Sequence, residues 1–280
     1  MALSDAYPTH FAELDQLYQA AGAPVEKRLA LLEHHQAAVV KKDEGLAALI
    51  GLKTFAGKAD EAIALLQGRT FSIWEGGTAF DTGQAWVDAQ LVRGLHQLGA
   101  KQYREALASF EAALKPPASL RAEPRGGSRL PEIAYWIGCT HEALGNGDQA
   151  RQSWNEAVAF TAPVGGGGRG PGNPLAAGIQ RYYQLRAQQK LGRTENVAAG
   201  FRELVASATA ALNPAADTND APASGRNRTS PRTRLATAHF VAGLGRAGLG
   251  ETDKARGEFT AALAASPDHL GARLALENLP

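Results

Sequence analysis

Residues 138–157 read GCTHEALGNGDQARQSWNEA. Gly138 is followed by Ala150, then Trp154, then Ala157. The same spacing returns as Gly94, Ala106, Phe110 and Ala113, and again as Gly243, Ala255, Phe259 and Ala262, closed by Pro267. Apolar residues recur at helical intervals on both sides of each short turn, so each copy predicts two helices packed against one another. A glycine in the first helix lets the second approach closely, because any side chain there would hold the backbones apart. The two alanines do the same from the other side. The aromatic between them is expected to fill space against the next helix pair.

This spacing resembles the tetratricopeptide repeat (TPR), which has a pair of antiparallel helices per repeat. The fold class implied is all-α: a TPR-like α-solenoid, a right-handed superhelix of about five to six helix hairpins. Helices are predicted at 9–21, 25–35, 44–55, 59–67, 84–98, 102–114, 132–144, 148–160, 175–191, 195–212, 233–249, 252–265 and 268–279. In the 59–67 helix, Ala62 and Leu66 occupy the alanine and aromatic slots, a degenerate copy. The 195–212 helix fits poorly: Phe201 is in place, but Val197 and Leu204 stand where alanine is expected.

The chain, 1–280, therefore reads as one solenoid. Its parts are degenerate N-terminal repeats with a Trp-Glu-Gly-Gly loop (1–83), central repeats (84–212), a mobile, readily cleaved linker (213–231), and a last repeat with a capping helix (232–280). The capping helix is expected to cover the open end of the stack. The copies are not in tandem, so loops have been inserted between hairpins, where function would be sought.

Composition narrows the function classes. Net charge is +1, which gives no global pull toward nucleic acid or an anionic membrane. A single cysteine, Cys139, excludes an internal disulfide framework. The first residues lack a basic stretch followed by an apolar one, and no long apolar run follows, so the expectation is a cytoplasmic protein without a membrane span.

A second resemblance rests on longer stretches: FAELDQLY (11–18), RLALLE (28–33), AIALL (62–66), RTFSIWEGG (69–77), YWIG (135–138) and PDHLG (267–271). Together they are similar to the C-terminal TPR region of large bacterial proteins whose front part is a β-sandwich related to galactose mutarotase, of unassigned function. The resemblance covers most of the chain and implies a role beside a carbohydrate-active domain.

Candidate sites follow. Trp74 and Glu75, in the Trp-Glu-Gly-Gly loop, present an indole and a carboxylate to a ligand, or form a turn in which Trp74 packs back between hairpins. Projecting from the glycine register, Asp88, Tyr135, Glu142, Tyr182 and Arg186 face the concave surface, where aromatics and charges together suit an extended peptide. The alternative is that the tyrosines pack on neighbouring helices. Gly165, Gly167 and Gly170 satisfy a dinucleotide-binding pattern, but no strand precedes them and Pro171 blocks the receiving helix, so they read as a connector. His34 and His35 point too far apart to share a metal, His239 reads as a hydrogen-bonded core residue, and Cys139 has no base beside it. No metal or other cofactor is expected. Two arginine groups, Arg121, Arg125 and Arg129, and Arg226, Arg228, Arg232 and Arg234, read as solvated loops rather than a nucleic-acid surface.

The leading reading is a non-catalytic scaffold for a protein or peptide partner, or for another domain. The alternative is an accessory or carbohydrate-binding module of a carbohydrate-active enzyme.

Overall fold

The computed structural model describes residues 7–71, 80–121, 129–161, 174–213 and 230–279. Trp74, Glu75, Arg125, the 165–170 glycines, Arg226, Arg228 and nearly all of the 213–231 linker lie outside them. Fourteen α-helices follow one another among the described residues. They are α1 Thr9–Ala20, α2 Val25–His34, α3 Gln36–Val39, α4 Asp43–Phe55, α5 Ala59–Gln67, α6 Thr82–Gly99 and α7 Tyr103–Ala113, then α8 Leu130–Ala143, α9 Gly147–Ala159, α10 Pro174–Lys190, α11 Val197–Leu212, α12 Pro231–Gly248, α13 Thr252–Ala265 and α14 Leu270–Glu277. A short 3-10 turn spans Ala118–Leu120. No strand occurs among the described residues, and the protein is all-α there.

Local chemistry sets the helix limits. Asp81 starts α6 by accepting the Gln84 N–H at 2.9 Å, and Ser230 starts α12 by accepting from Thr233 N–H at 3.1 Å, with Pro231 in the first turn. The turn after α8 needs Gly145 at φ +78°, and the turn after α12 needs Gly250 at φ +77°. The matching position after α6 is Lys101, held at φ 61° despite its side chain.

The repeated glycines sit where their spacing places them. A Cβ on Gly138 would lie 2.3 Å from Trp154 Nε1, one on Gly94 2.5 Å from Phe110, and one on Gly243 2.4 Å from Phe259. Each aromatic therefore rests on the bare backbone of its own hairpin, and its other side meets the following helices, Phe110 facing Ile133 and Ile137 of α8. Ala106, Ala113, Ala150, Ala157, Ala255 and Ala262 are all buried.

The poorly fitting pair, α10 and α11, solves the same problem with the sizes exchanged. Leu185 takes the place of the glycine, and Gly200 on α11 makes room for it, with only 2.7 Å available to a Cβ. Phe201 is then free to turn outward onto Gly248 of α12, at 2.4 Å from its would-be Cβ. Val197 and Leu204 fill the space between α11 and α12 together with Ala238 and Val241.

Helices adjacent in the chain pack in order, α4 on α5, α5 on α6, and so on to α13. At the end of the chain α14 packs on α13 in the same order and also reaches α6 and α4. Ala272 packs with Phe240, Leu244 and Phe259 of α12 and α13, while Leu274 packs with Val87, Leu91 and Leu95 of α6. The Arg273 guanidinium lies 5.0 Å over the Phe55 ring of α4. A short helix with apolar residues on two sides is stable only between two partners, and these are the two available.

Candidate functional site

A half-open cavity of about 930 Å³ lies between α1, α4, α6 and the segment leading into α14. One wall is the face of α4 formed by Glu44, Ala47, Ala48, Gly51 and Phe55, recurring at helical spacing. Small residues leave this face open: a Cβ on Gly51 would meet nothing within 4 Å. Phe71 and Phe80, with ring centroids 5.2 Å apart, close one side.

A buried charge cluster closes the other side. Arg28 on α2 is almost fully buried and donates twice to Asp15 of α1, Nε to Oδ1 at 2.8 Å and Nη2 to Oδ2 at 2.9 Å. Its Nη1 reaches Asp268 at 2.7 Å, although the two residues are 240 positions apart in the chain. Asp268 also accepts from Gln19 and from Ser266. Burial by itself would raise the Asp268 pKa, but the bonds from Arg28, Ser266 and Gln19 outweigh it and hold the carboxyl below its ordinary value. Burial likewise opposes the Arg28 charge, and the hydrogen bonds to Asp15 and Asp268 more than restore it. The next residue, His269, accepts the Ala272 N–H at Nδ1 (3.1 Å) and so caps α14. Burial depresses its pKa, which suits a cap that needs the neutral ring.

The cavity lining is acidic. Glu13, Asp15, Asp43, Glu44, Asp81, Asp88 and Asp268 face it, and Arg28 is the single cation in the lining among the described residues. Arg69 reaches Asp43 from outside at 2.6 Å, and Arg129 reaches Asp88 at 2.9 Å. Glu13, Glu44 and Asp81 have no ion-pair partner among the described residues. Burial pushes the Asp88 carboxyl up despite Arg129, with Glu132 and Asp81 adding to the rise, even though solvent still reaches about a third of its side chain. Thr54, also in the lining, is 3% exposed, and its Oγ1, itself buried out of solvent's reach, has no hydrogen-bond partner among the described residues. Four other helical threonines, Thr140, Thr209, Thr237 and Thr260, each bond the carbonyl four residues back, and Thr82 bonds the Leu120 carbonyl instead.

Of the candidates read from sequence, Asp88 lines this cavity. Tyr135, Glu142, Tyr182 and Arg186 are brought together elsewhere, on α8 and α10. Tyr135 is buried among Ala150, Trp154 and Tyr183, with its hydroxyl 3.3 Å from Arg186 Nη2, and burial raises its pKa. Tyr182 lies edge-on to Tyr183 at 5.2 Å and packs against Phe201. Glu142 pairs with Lys190, whose ammonium sits over Trp154. These four join one hairpin to the next. Arg129 links the two regions, donating to Glu132 (2.7 Å) as well as Asp88.

Among the arginines read as solvated, Arg129 is thus engaged inward, and Arg232 donates to the carbonyls of Ala20 and Ala265. His239 bonds Glu258 at 2.8 Å. The Cys139 thiol is pushed up, mainly by burial. Among the described residues, no group of three His, Cys, Asp or Glu is arranged to hold a metal ion, and no helix is long and apolar enough to cross a membrane.

The sequence reading passed over Asp15, Arg28, Thr54 and Asp268. A signal for two of them exists: Asp15 shares a helical face with Phe11, and Arg28 with Val25, Leu29 and Leu32, so each places a charge on an apolar stripe. No protein-family model matches the chain, so its resemblance to the tetratricopeptide repeat stands on the glycine–alanine–aromatic spacing.

Proposed function

We propose that this chain is a TPR-like solenoid of helix hairpins, a scaffold that works by holding a partner rather than by turnover. The partner segment lies in the cavity between α1, α4 and α6. The observation that carries the reading is the unpartnered face of α4: small residues at positions 47, 48 and 51 leave a wall with a cavity of about 930 Å³ before it. Such a volume lies at the upper end of the range that ligand sites occupy. The repeated glycine–aromatic nests support the solenoid assignment, since each fixes one hairpin and seats the next.

The test is site-specific photocrosslinking. A benzophenone side chain placed at Ala47 or Gly51 is expected to capture the same protein in cell extract, while one at Ala210, exposed on α11, captures none. Equal capture from all three positions, or none from the cavity positions, refutes the reading. A second reading, an accessory module for a carbohydrate-active enzyme, draws on Phe71 and Phe80, whose rings could stack on a sugar. Calorimetric titration with a panel of oligosaccharides tests it, and heat lost on Phe80→Ala would favour it.

A further inference from the structure

Helix α14 is held by unlike joints on its two sides. Of its residues only Ala272 is fully buried, and a helix this short is marginal in water without partners. On one side it lies on α12 and α13, with Gly271 against the Phe240 ring. On the other it meets the first helices mainly through polar groups. Asp268 accepts from Arg28 and from Gln19, each at 2.7 Å, and the Arg273 guanidinium rests over Phe55. Leu274 against α6 is the apolar exception. Ser266 is extended and Pro267 follows it, which ends α13 and makes the segment 266–269 a joint between separate helices. Two acceptors secure the start of α14: the Asp268 carboxylate, and His269 Nδ1, which takes the Ala272 N–H at 3.1 Å. Protonation removes the His269 acceptor outright and cancels the charge on Asp268. Undocking also leaves much of the buried charge cluster intact. Arg28 keeps both bonds to Asp15 within the first helix pair, and Asp268 returns to water, so the cost of burying its charge is recovered.

From this construction we propose that α14 is an acid-released strap: it undocks and frays while the hairpins beneath it stay folded, and it docks again once His269 and Asp268 are both deprotonated. Asp268 and Leu270 belong to the lining of the α4 cavity, so release removes that stretch of its wall. The charged groups around the two acceptors are Arg28 and, bonded to it, Asp15. Arg232 of α12 spans the Ala20 and Ala265 carbonyls at the neighbouring helix ends. Gln19, Ser266 and the Phe240 ring complete the surroundings. The signs agree. Both groups are held below their ordinary pKa values, so docking is complete above the ordinary histidine range and is lost as pH falls through the lowered values. The strap works in this way whatever the cavity holds.

Thiol modification of the full chain, with Cys139→Ala as background, tests the strap. Ala272→Cys places a thiol beneath it, and Ala262→Cys places one inside the last hairpin; both positions are fully buried. Each rate is taken relative to the same variant unfolded in urea at the same pH, which removes the effect of thiol ionisation. The Ala272→Cys thiol is expected to react more than about tenfold faster than the Ala262→Cys thiol, because the strap opens without the hairpin. Its relative rate should rise several-fold from about pH 8 to about pH 5, and His269→Asn should abolish that rise, since Asp268 stays ionised in this range. Asp268→Asn should raise the rate about tenfold at neutral pH, with the Ala262→Cys thiol unchanged. Amide exchange on the unsubstituted chain repeats the comparison in case Ala272→Cys itself loosens the helix: 270–277 should exchange faster than 252–265. Equal opening of the two segments, by thiol and by amide, overturns the strap, because α14 then opens only with the hairpin. An acid rise that survives in His269→Asn, or a rate indifferent to Asp268→Asn, overturns the acid release.

Discussion

Arg28→Met is the perturbation that most directly tests how the first and last helices are joined. Methionine keeps most of the apolar stem and removes the guanidinium. Two carboxylates are then left facing each other: Asp15, almost fully buried, and Asp268, more than four-fifths buried. Removing one partner of a buried ion pair typically costs about 3–5 kcal/mol, because the remaining charge is stranded out of water. That is a large part of the 5–15 kcal/mol that holds a typical domain together. Arg28→Met combined with Asp15→Leu and Asp268→Asn removes the stranded charges, and stability should return to within about 1–2 kcal/mol of the parent. Urea unfolding measures both. Amide exchange supplies the spatial half of the test: in Arg28→Met, residues 270–277 should lose protection along with 25–34, because Asp268 is the anchor of that helix. The sign of the pH dependence is fixed as well. Asp268 is held below its ordinary pKa, so its contribution is complete above the usual carboxylate range and is lost as pH falls through and below it. An Arg28→Met protein within about 1 kcal/mol of the parent would refute the reasoning, since 3–5 is expected. So would loss of protection confined to α2.

Three further outcomes are expected. Gly138→Ala should lose roughly 1–3 kcal/mol by overpacking, because its methyl would stand 2.3 Å from Trp154 Nε1; thermal unfolding reads this, and an unchanged midpoint would show that the indole moves freely. Lys101→Gly should gain about 1 kcal/mol, since Lys101 holds the left-handed backbone that glycine holds after α8 and α12; a loss in chemical denaturation would contradict it. The His269 cap requires a neutral ring and its pKa is depressed, so its contribution is complete above the ordinary histidine pKa of about 6.5 and fades as pH falls below it. Amide exchange in 270–277 should therefore quicken toward pH 5 beyond the intrinsic trend, and His269→Asn, which caps without titrating, should remove that excess; an identical profile in the variant would rule the cap out as the cause.

Most helices were readable because their signals are local. Apolar periodicity, Gly145 and Gly250 at helix ends, and Pro231 in a first turn act within one or two turns of chain. The start of α12 was placed two residues late because Ser230 and Pro231 were counted with the linker, although serine before proline is a helix-start signal. Helix α3 was missed: four residues directly after His35, with no cap of their own, carry too short a pattern to register. Register counting puts Asp88 on one concave face with Tyr135, Glu142, Tyr182 and Arg186; in the structure Asp88 lines the α4 cavity, and Tyr135 is buried where the hairpins meet, against Arg186.

The repeated spacing of tiny and aromatic residues was enough to establish helix pairs, their order and the nests within them, because each nest joins residues sixteen apart on two helices linked by a turn. It could not establish where α14 goes, or that a cavity exists. Those depend on residues such as Arg28 and Asp268, 240 positions apart, whose meeting follows from the summed geometry of every hairpin between them. Small differences in packing angle accumulate from one helix pair to the next, so no short-range rule reports whether the first and last helices meet. The charge on the cavity wall was present in the sequence all along, but seven carboxylates scattered over 1–280 become one field only when the folded backbone turns them toward the same space.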